Sequence, residues 1–226
     1  MRAVGLVVAL VLGLALVVGL LAGCAAGPGA TGHAMSPLAG HAPLTLAADD
    51  RMIAIPDGRY VNGSTLEERA AAYDDFQAVA GEDTARAEKR FEHEADRHSA
   101  RLPAFRIDLM PVTQAQFAEM VSVDHVAAPG IDEAGWKAQG LPHDYAREVA
   151  RFAWSGGKPP DGREDHPVVL VTWTEADRYC AWRGALRGEK RRLPTADEVE
   201  KAVRGEDGLA YPWGNNFEPD KLNSAV

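Results

Sequence analysis

The sequence reads as an α+β chain, because short strand signals and helices with explicit amino-terminal caps recur on either side of a long irregular stretch rich in glycine and proline. With 226 residues, 46% hydrophobic content and five tryptophans, it can fill one substantial core, or a core with an attached hairpin. A formal net charge of -9 argues against nonspecific nucleic-acid binding, which needs basic surface to neutralise phosphates. Acidic solubility is the plainer meaning of that charge.

Between Arg2 and Cys24 the chain carries no charge and reads as an export signal. Its length also suits a membrane-spanning helix, so an uncleaved anchor is the competing reading. The ending Leu21-Ala22-Gly23-Cys24 resembles the bacterial lipobox. That resemblance implies that residues 1–23 are a lipoprotein signal peptide and that Cys24 is the lipidation site. Cys24 then becomes a membrane anchor, holding the chain in the bacterial cell envelope outside the cytoplasm, in the periplasm or at the outer membrane. Lipidation of Cys24 leaves Cys180 as the only free thiol, with no partner in this chain. Cys180 is then either a small buried hydrophobe on a helix or half of a bridge whose other half is not in this sequence. Residues 24–50 are rich in Ala, Gly, Pro and Thr and read as a flexible tether, with His33 and His41 solvated in it.

Folding begins at "MIAIPDGRYVNGS", where Ile53 and Ile55 alternate, Pro56-Asp57-Gly58 supplies a turn and Tyr60 opens a second strand, a hairpin pattern. Ser64 followed by Glu67 forms a capping-box pattern ahead of "LEERAAAYDDFQAVA", and Gly81 ends that helix. A second helical run, "EDTARAEKRFEHEADRHSA", completes a charged helical hairpin over residues 65–101 that reads as an insertion. Its ten acidic and six basic residues describe a solvated surface better than a functional anionic face. His93 and His98 fall on different faces of such a helix, which disfavours a metal site.

"LPAFRIDLMPVT" is extended, and Thr113 with Gln116 caps a helix whose core face is Phe117, Met120 and Val121. Residues 124–165 form a long irregular region, which is either a functional loop or a variable insertion. "HPVVLVTW" is a continuous apolar run and reads as a buried strand. Thr174 and Asp177 cap the next helix, with Ala176, Tyr179, Cys180 and Leu186 along one side and Gly184 and Gly188 bounding its end. Thr195 and Glu198 cap the last helix, where Val199, Ala202 and Val203 give a core face and Gly205 a stop. Asp197, Glu198 and Glu200 are explained by capping and solvation, not as an acid and base pair. Tyr211 and Trp213 then lead into a Gly214-Asn215-Asn216 turn, with Trp213 read as a core plug.

In this order the pieces resemble the formylglycine-generating enzyme, or sulfatase-modifying factor, family. "MIAIPDGRYVNGS" is similar to its opening strand motif and "FRIDLMPVTQAQFAEMV" to its first helix entry. "HPVVLVTWTEADRYCAWRG", "RRLPTADEVEKAVRG" and "YPWGNN" are similar to its most distinctive block. Asn62 stands where that family usually has methionine, and Val199 where it usually has tryptophan. The resemblance covers residues 51–226 and implies an α+β fold related to the C-type lectin fold, with short strands, few helices and much ordered loop. It also implies a structural calcium, for which Asn223 and the carbonyl of Ser224 look like ligands. Calcium needs six to eight oxygens, so the others would come from elsewhere.

The activity implied by the resemblance is oxidation of a protein cysteine, or a related oxidoreductase reaction. In the family the redox cysteine pair that binds copper follows this point, and some relatives use iron instead. No catalytic or cofactor-binding residue is therefore assigned in this chain, and copper or iron is expected only with a downstream half. The family also implies that Cys180 bridges to a closing strand. Two functions are carried forward. The first is the amino-terminal portion of an exported, lipid-anchored oxidoreductase acting on a protein substrate. The second is a noncatalytic envelope scaffold, or a module on the same fold that binds protein or glycan.

Overall fold

The structure is a computed structural model that describes residues 23–27, 51–81, 83–124, 126–140, 144–216, 218 and 221. In chain order the elements are β1 (Ala25–Ala26), β2 (Met52–Ile55), β3 (Gly58–Asn62), α1 (Leu66–Ala80), α2 (Thr84–Ala87), β4 (His98–Leu102), β5 (Phe105–Asp108), α3 (Gln114–Asp124), α4 (Glu133–Ala138), α5 (Tyr145–Glu148), a 3-10 turn (Ala150–Phe152), α6 (Trp173–Leu186), β6 (Arg191–Arg192) and α7 (Ala196–Arg204). This is the expected α+β class, with short strands, and no closed barrel occurs among the described residues. The described residues fall into two compact units. One comprises Ile55–Ala104 with the stretch from Thr195, and the other comprises Phe105–Pro194 with the stretch up to Ala54.

In the first unit β3 and β4 pair antiparallel, from Gly58 opposite Leu102 to Asn62 opposite His98. Thr65, not Ser64, caps α1: its hydroxyl accepts from the Glu68 amide while Glu68 reaches back to the Thr65 amide. Both registers place a glutamate three residues on, so tertiary contacts decide. The Ser64 hydroxyl donates to Glu94 and accepts from Arg69 Nε, and is no longer free to cap. Gly63, at φ 74°, brings the chain so close to the next layer that a Cβ would lie 2.3 Å from the Ala95 carbonyl oxygen. Tyr73, Phe91 and Tyr211 centre the core of this unit, with Trp213 packed on its edge as a stacked partner of Tyr211 at 5.2 Å.

The second helix of the expected charged hairpin does not form. Helix α2 stops after Thr84–Ala87, Lys89 turns the chain with φ 53°, and the segment returns as strand β4. Phe91 explains the break. It is buried against Tyr73, with ring centroids 4.6 Å apart, and its amide donates to the Tyr73 hydroxyl at 3.0 Å. One large apolar side chain, worth roughly 1.5–3 kcal/mol when buried, outweighs the weak helix preference of the charged run around it.

The second unit holds a four-stranded sheet in the order β2-β5-β1-β6. The expected β2–β3 hairpin is therefore absent, because β2 joins β5 and β3 joins β4. Helix α3 follows its expected Thr113–Gln116 capping box, with Phe117 and Met120 buried and Val121 packed beside them. The run "HPVVLVTW" is not a strand. Its pairing is a single antiparallel bridge of Pro167 with Thr113, made by Val168 N to Val112 O and Gln114 N to His166 O at 2.9 Å each, and Leu170 then turns the chain at φ 59°. Helix α6 is capped by Thr172 with Glu175, two residues before the expected Thr174 with Asp177, so Trp173 opens the helix and is 64% exposed. Tyr179 and Cys180 do face the core, whereas Leu186 is exposed.

Candidate functional site

Chemistry-bearing side chains gather in two places, one in each unit. In the first unit the gathering surrounds α7. Its Thr195–Glu198 capping box forms as expected, and Gly205 ends it at φ 67°. Its buried face is not the expected one: Val199, Ala202 and Val203 are only half-buried, while Glu198, Lys201 and Arg204 are buried. Lys201 Nζ donates to the carbonyl oxygens of Pro56 at 2.7 Å and Gly58 at 3.3 Å. The Arg204 guanidinium, 1% exposed, donates to the carbonyls of Gly63, Gly208 and Leu209 and pairs with Glu200 four residues earlier. Two cations thus satisfy the orphan carbonyls of three turns, a task apolar side chains cannot do.

Asn62 lies beside them. Its amide nitrogen donates to Glu200 Oε2 at 2.6 Å, Asp197 Oδ1 at 3.3 Å and the Tyr60 hydroxyl at 3.2 Å, and Glu200 Oε1 accepts from the Gly63 amide at 2.9 Å. A methionine could make none of these bonds, so Asn62 and the polar face of α7 belong together. Burial first, and then the negative Asp197, push the Tyr60 hydroxyl above its ordinary value. Burial likewise raises the Glu94 carboxyl, against the opposing bond from Ser64 and the charge of Arg69. The network is a set of anchored loops: Asp197, Glu198 and Glu200 each accept from an amide, while Glu94 accepts from the Ser64 hydroxyl. Glu198 caps α7 as its spacing implies, whereas Asp197 and Glu200, expected to be solvated, bind Asn62.

In the second unit the gathering is a pair of cysteines. Cys24, fully buried, is bonded to Cys180, 1% exposed, with Cα atoms 5.4 Å apart and 156 residues between them in sequence. This corrects the expectation that Cys180 lacks a partner in this chain. It also removes Cys24 as a lipidation site in this state, since a sulfur held in a disulfide carries no thioether. Strand β1 follows Cys24 directly and lies between β5 and β6, with Ala25 opposite Ile107 and Arg192, and Ala26 opposite Arg106 and Arg191. The Cys24 amide donates to Asp108 Oδ2 at 2.6 Å, and Arg191 Nη1 stands 3.7 Å from Asp108 Oδ1. A residue expected in a tether is thus stapled into a sheet. The apolar cavity beside Cys180, lined by Phe117, Val168 and Tyr179 among others, measures about 20 Å³ and is far too small for a substrate.

Among the described residues no group of three His, Cys, Asp or Glu side chains is placed to hold a metal. Both cysteines are bonded to each other, so the described residues do not fit a copper or iron centre. Asn223 and Ser224, the expected calcium ligands, lie outside the described residues, as do His33 and His41. His98 is engaged locally, its Nδ1 lying 2.8 Å from the Asp96 carbonyl oxygen. Among the described residues no helix is long and apolar enough to cross a membrane.

Comparison with known proteins agrees with this architecture. A family model described as "Sulfatase-modifying factor enzyme 1-like domain" matches residues 40–226. The "Inactive C-alpha-formylglycine-generating enzyme 2" of Mus musculus is 32% identical over 197 residues, covering 78% of this chain and 55% of the relative. The "Formylglycine-generating enzyme" of Streptomyces coelicolor is 38% identical over 144 residues, covering 54% of this chain and 43% of the relative. The "Hercynine oxygenase" of Mycobacterium tuberculosis is 31% identical over 151 residues, covering 63% of this chain and 34% of the relative. The chain spans about half the length of the curated relatives it matches. With the family model covering most of its length and the capped helices in place, the chain belongs to the sulfatase-modifying factor enzyme 1-like family.

Proposed function

We propose that this chain is the structural amino-terminal portion of an exported oxidoreductase of the formylglycine-generating type, which oxidises a cysteine in a protein substrate. The observation that carries the reading is the family match over residues 40–226, together with relatives named for formylglycine generation. In this reading the chain's own residues hold the loops of the fold, and the reacting cysteines and metal come from the part of the relatives' length that this chain does not span. An oxidising compartment suits a buried Cys24–Cys180 bridge, which supports export. The uncharged leader and the Leu21-Ala22-Gly23-Cys24 sequence support processing at an envelope membrane, with the lipid on Cys24 in those molecules where the bridge is open. Calcium at Asn223 and Ser224 belongs to the same proposal.

A test incubates the complete gene product with copper, oxygen and a cysteine-containing sulfatase peptide, and captures the aldehyde with a hydrazide probe. Aldehyde formation is expected. A complete, folded protein that forms none would leave the second reading, a noncatalytic module of the envelope. That reading has its own support: one relative aligned over 197 residues bears a name beginning "Inactive".

A further inference from the structure

Cys24 belongs to two structures that exclude each other. In the folded chain its sulfur is bonded to Cys180, its amide is held by Asp108, and the next two residues are paired on both sides in the sheet. Gly23 is buried with it, and a Cβ there would stand 2.3 Å from Asp108 Cβ. The peptide bond between Gly23 and Cys24 is therefore enclosed. In the sequence, however, the same Leu21-Ala22-Gly23-Cys24 is the segment that a lipid-transferring and processing machinery would need extended and open. Gly23 suits both structures, because only a residue without a side chain fits against Asp108 and small residues also suit a processing site.

We propose that the Cys24–Cys180 pair is a redox gate on membrane anchoring: the oxidised pair holds the chain unlipidated and uncut, and only the reduced pair releases Cys24 to the membrane. This rests on the export reading above. Closing the gate breaks two S–H bonds and forms one S–S bond. Two electrons and two protons pass to a thiol–disulfide exchange protein, whose own disulfide becomes a dithiol. Lipidation involves no electron transfer. The Cys24 thiolate attacks a glyceryl carbon of a membrane phospholipid, an S–C bond forms, and the C–O bond to the phosphate breaks. The phosphate headgroup departs with the electron pair, and the thiol proton passes to solvent. Only a thiolate can do this, so a bridged Cys24 is inert toward the lipid. Once Cys24 is acylated, Cys180 remains as a thiol packed among Val112, Phe117, Tyr179 and Leu193.

The gate is tested on the full chain, expressed in a bacterium from its own first codon as wild type, C180S and C24S. Alkyne-palmitate labelling reports the lipid, and a maleimide mass shift after unfolding, with and without reductant, reports the bridge. Wild type should divide into a bridged, unlabelled population and a labelled one. Cys180→Ser should raise the labelled fraction severalfold, growth with dithiothreitol should shift wild type the same way, and Cys24→Ser should abolish labelling. A labelled wild type whose fraction is unchanged by Cys180→Ser and by dithiothreitol would overturn the gate while leaving lipidation standing. Absence of label from wild type and Cys180→Ser alike would overturn the lipidation reading itself, and the gate with it.

Discussion

Glu94 offers one carboxyl oxygen to the Ser64 hydroxyl and buries the other, Oε1, without a partner. Burial raises its affinity for a proton above the ordinary carboxylate value of 4.5. The folded chain therefore binds this proton more tightly than the unfolded chain, and stability falls as pH rises from the ordinary value through the raised one. Glu94→Gln, which mimics the protonated form, is expected to flatten that decline and to be the more stable protein at neutral pH. Urea midpoints of both proteins across the acidic to neutral range check it. Arg204 is the opposite case, a cation whose loss leaves Glu200 without its counter-charge and three turn carbonyls without their donor. Arg204→Met is expected to cost about 3–5 kcal/mol in denaturant unfolding, the usual penalty for breaking a buried pair from one side. The capping role of Glu198 was legible in its spacing from Thr195. Its burial with Lys201 and Arg204 was not, because these three recur every three positions alongside the apolar stripe, and periodicity alone assigns the core to the apolar residues.

The starts of α1, α3, α6 and α7 were legible to within two residues, whereas α4 and α5, capped by Asp132 and Asp144, arose in the stretch read as irregular, and the misplacements have specific causes. In "VTWTEAD" both Thr172 and Thr174 stand three residues before an acid. Glu175 is long enough to reach back to the Thr172 amide, at 2.6 Å, and so Thr172 is the cap. Thr172→Ala is expected to lower stability by about 1 kcal/mol. Thr174→Ala, on the exposed surface of the helix, should leave the thermal midpoint nearly unchanged. Equal effects of the two substitutions would contradict the cap assignment. The apolar run from His166 misleads for a related reason: Val168 and Val169 are buried as a strand's would be, but pairing stops at the one bridge of Pro167 with Thr113 before Leu170 turns the chain. Burial is written in composition, whereas pairing depends on which neighbour arrives. The same limit hid the pairing of β2 with β5 in place of β3.

At the scale of the whole molecule, the family was legible because its capped helices and turns occur in a fixed order that local chemistry specifies. The role of Cys24 was not legible, since a run of small and apolar residues has the same composition whether it is exported, anchored or threaded into a sheet. The bridge spans 156 residues of sequence, and in the chain-entropy view closing such a loop stabilises the fold by about 5 kcal/mol. Reduction of the bridged protein is therefore expected to lower its denaturant midpoint substantially, with β1 released from between β5 and β6 and its amides opened to hydrogen exchange. Non-reducing peptide mapping of the chain recovered from the extracytoplasmic, unlipidated fraction is the most direct test. The account predicts a disulfide-linked peptide pair containing Cys24 and Cys180. A chain in which that linked pair is absent from every fraction would contradict it.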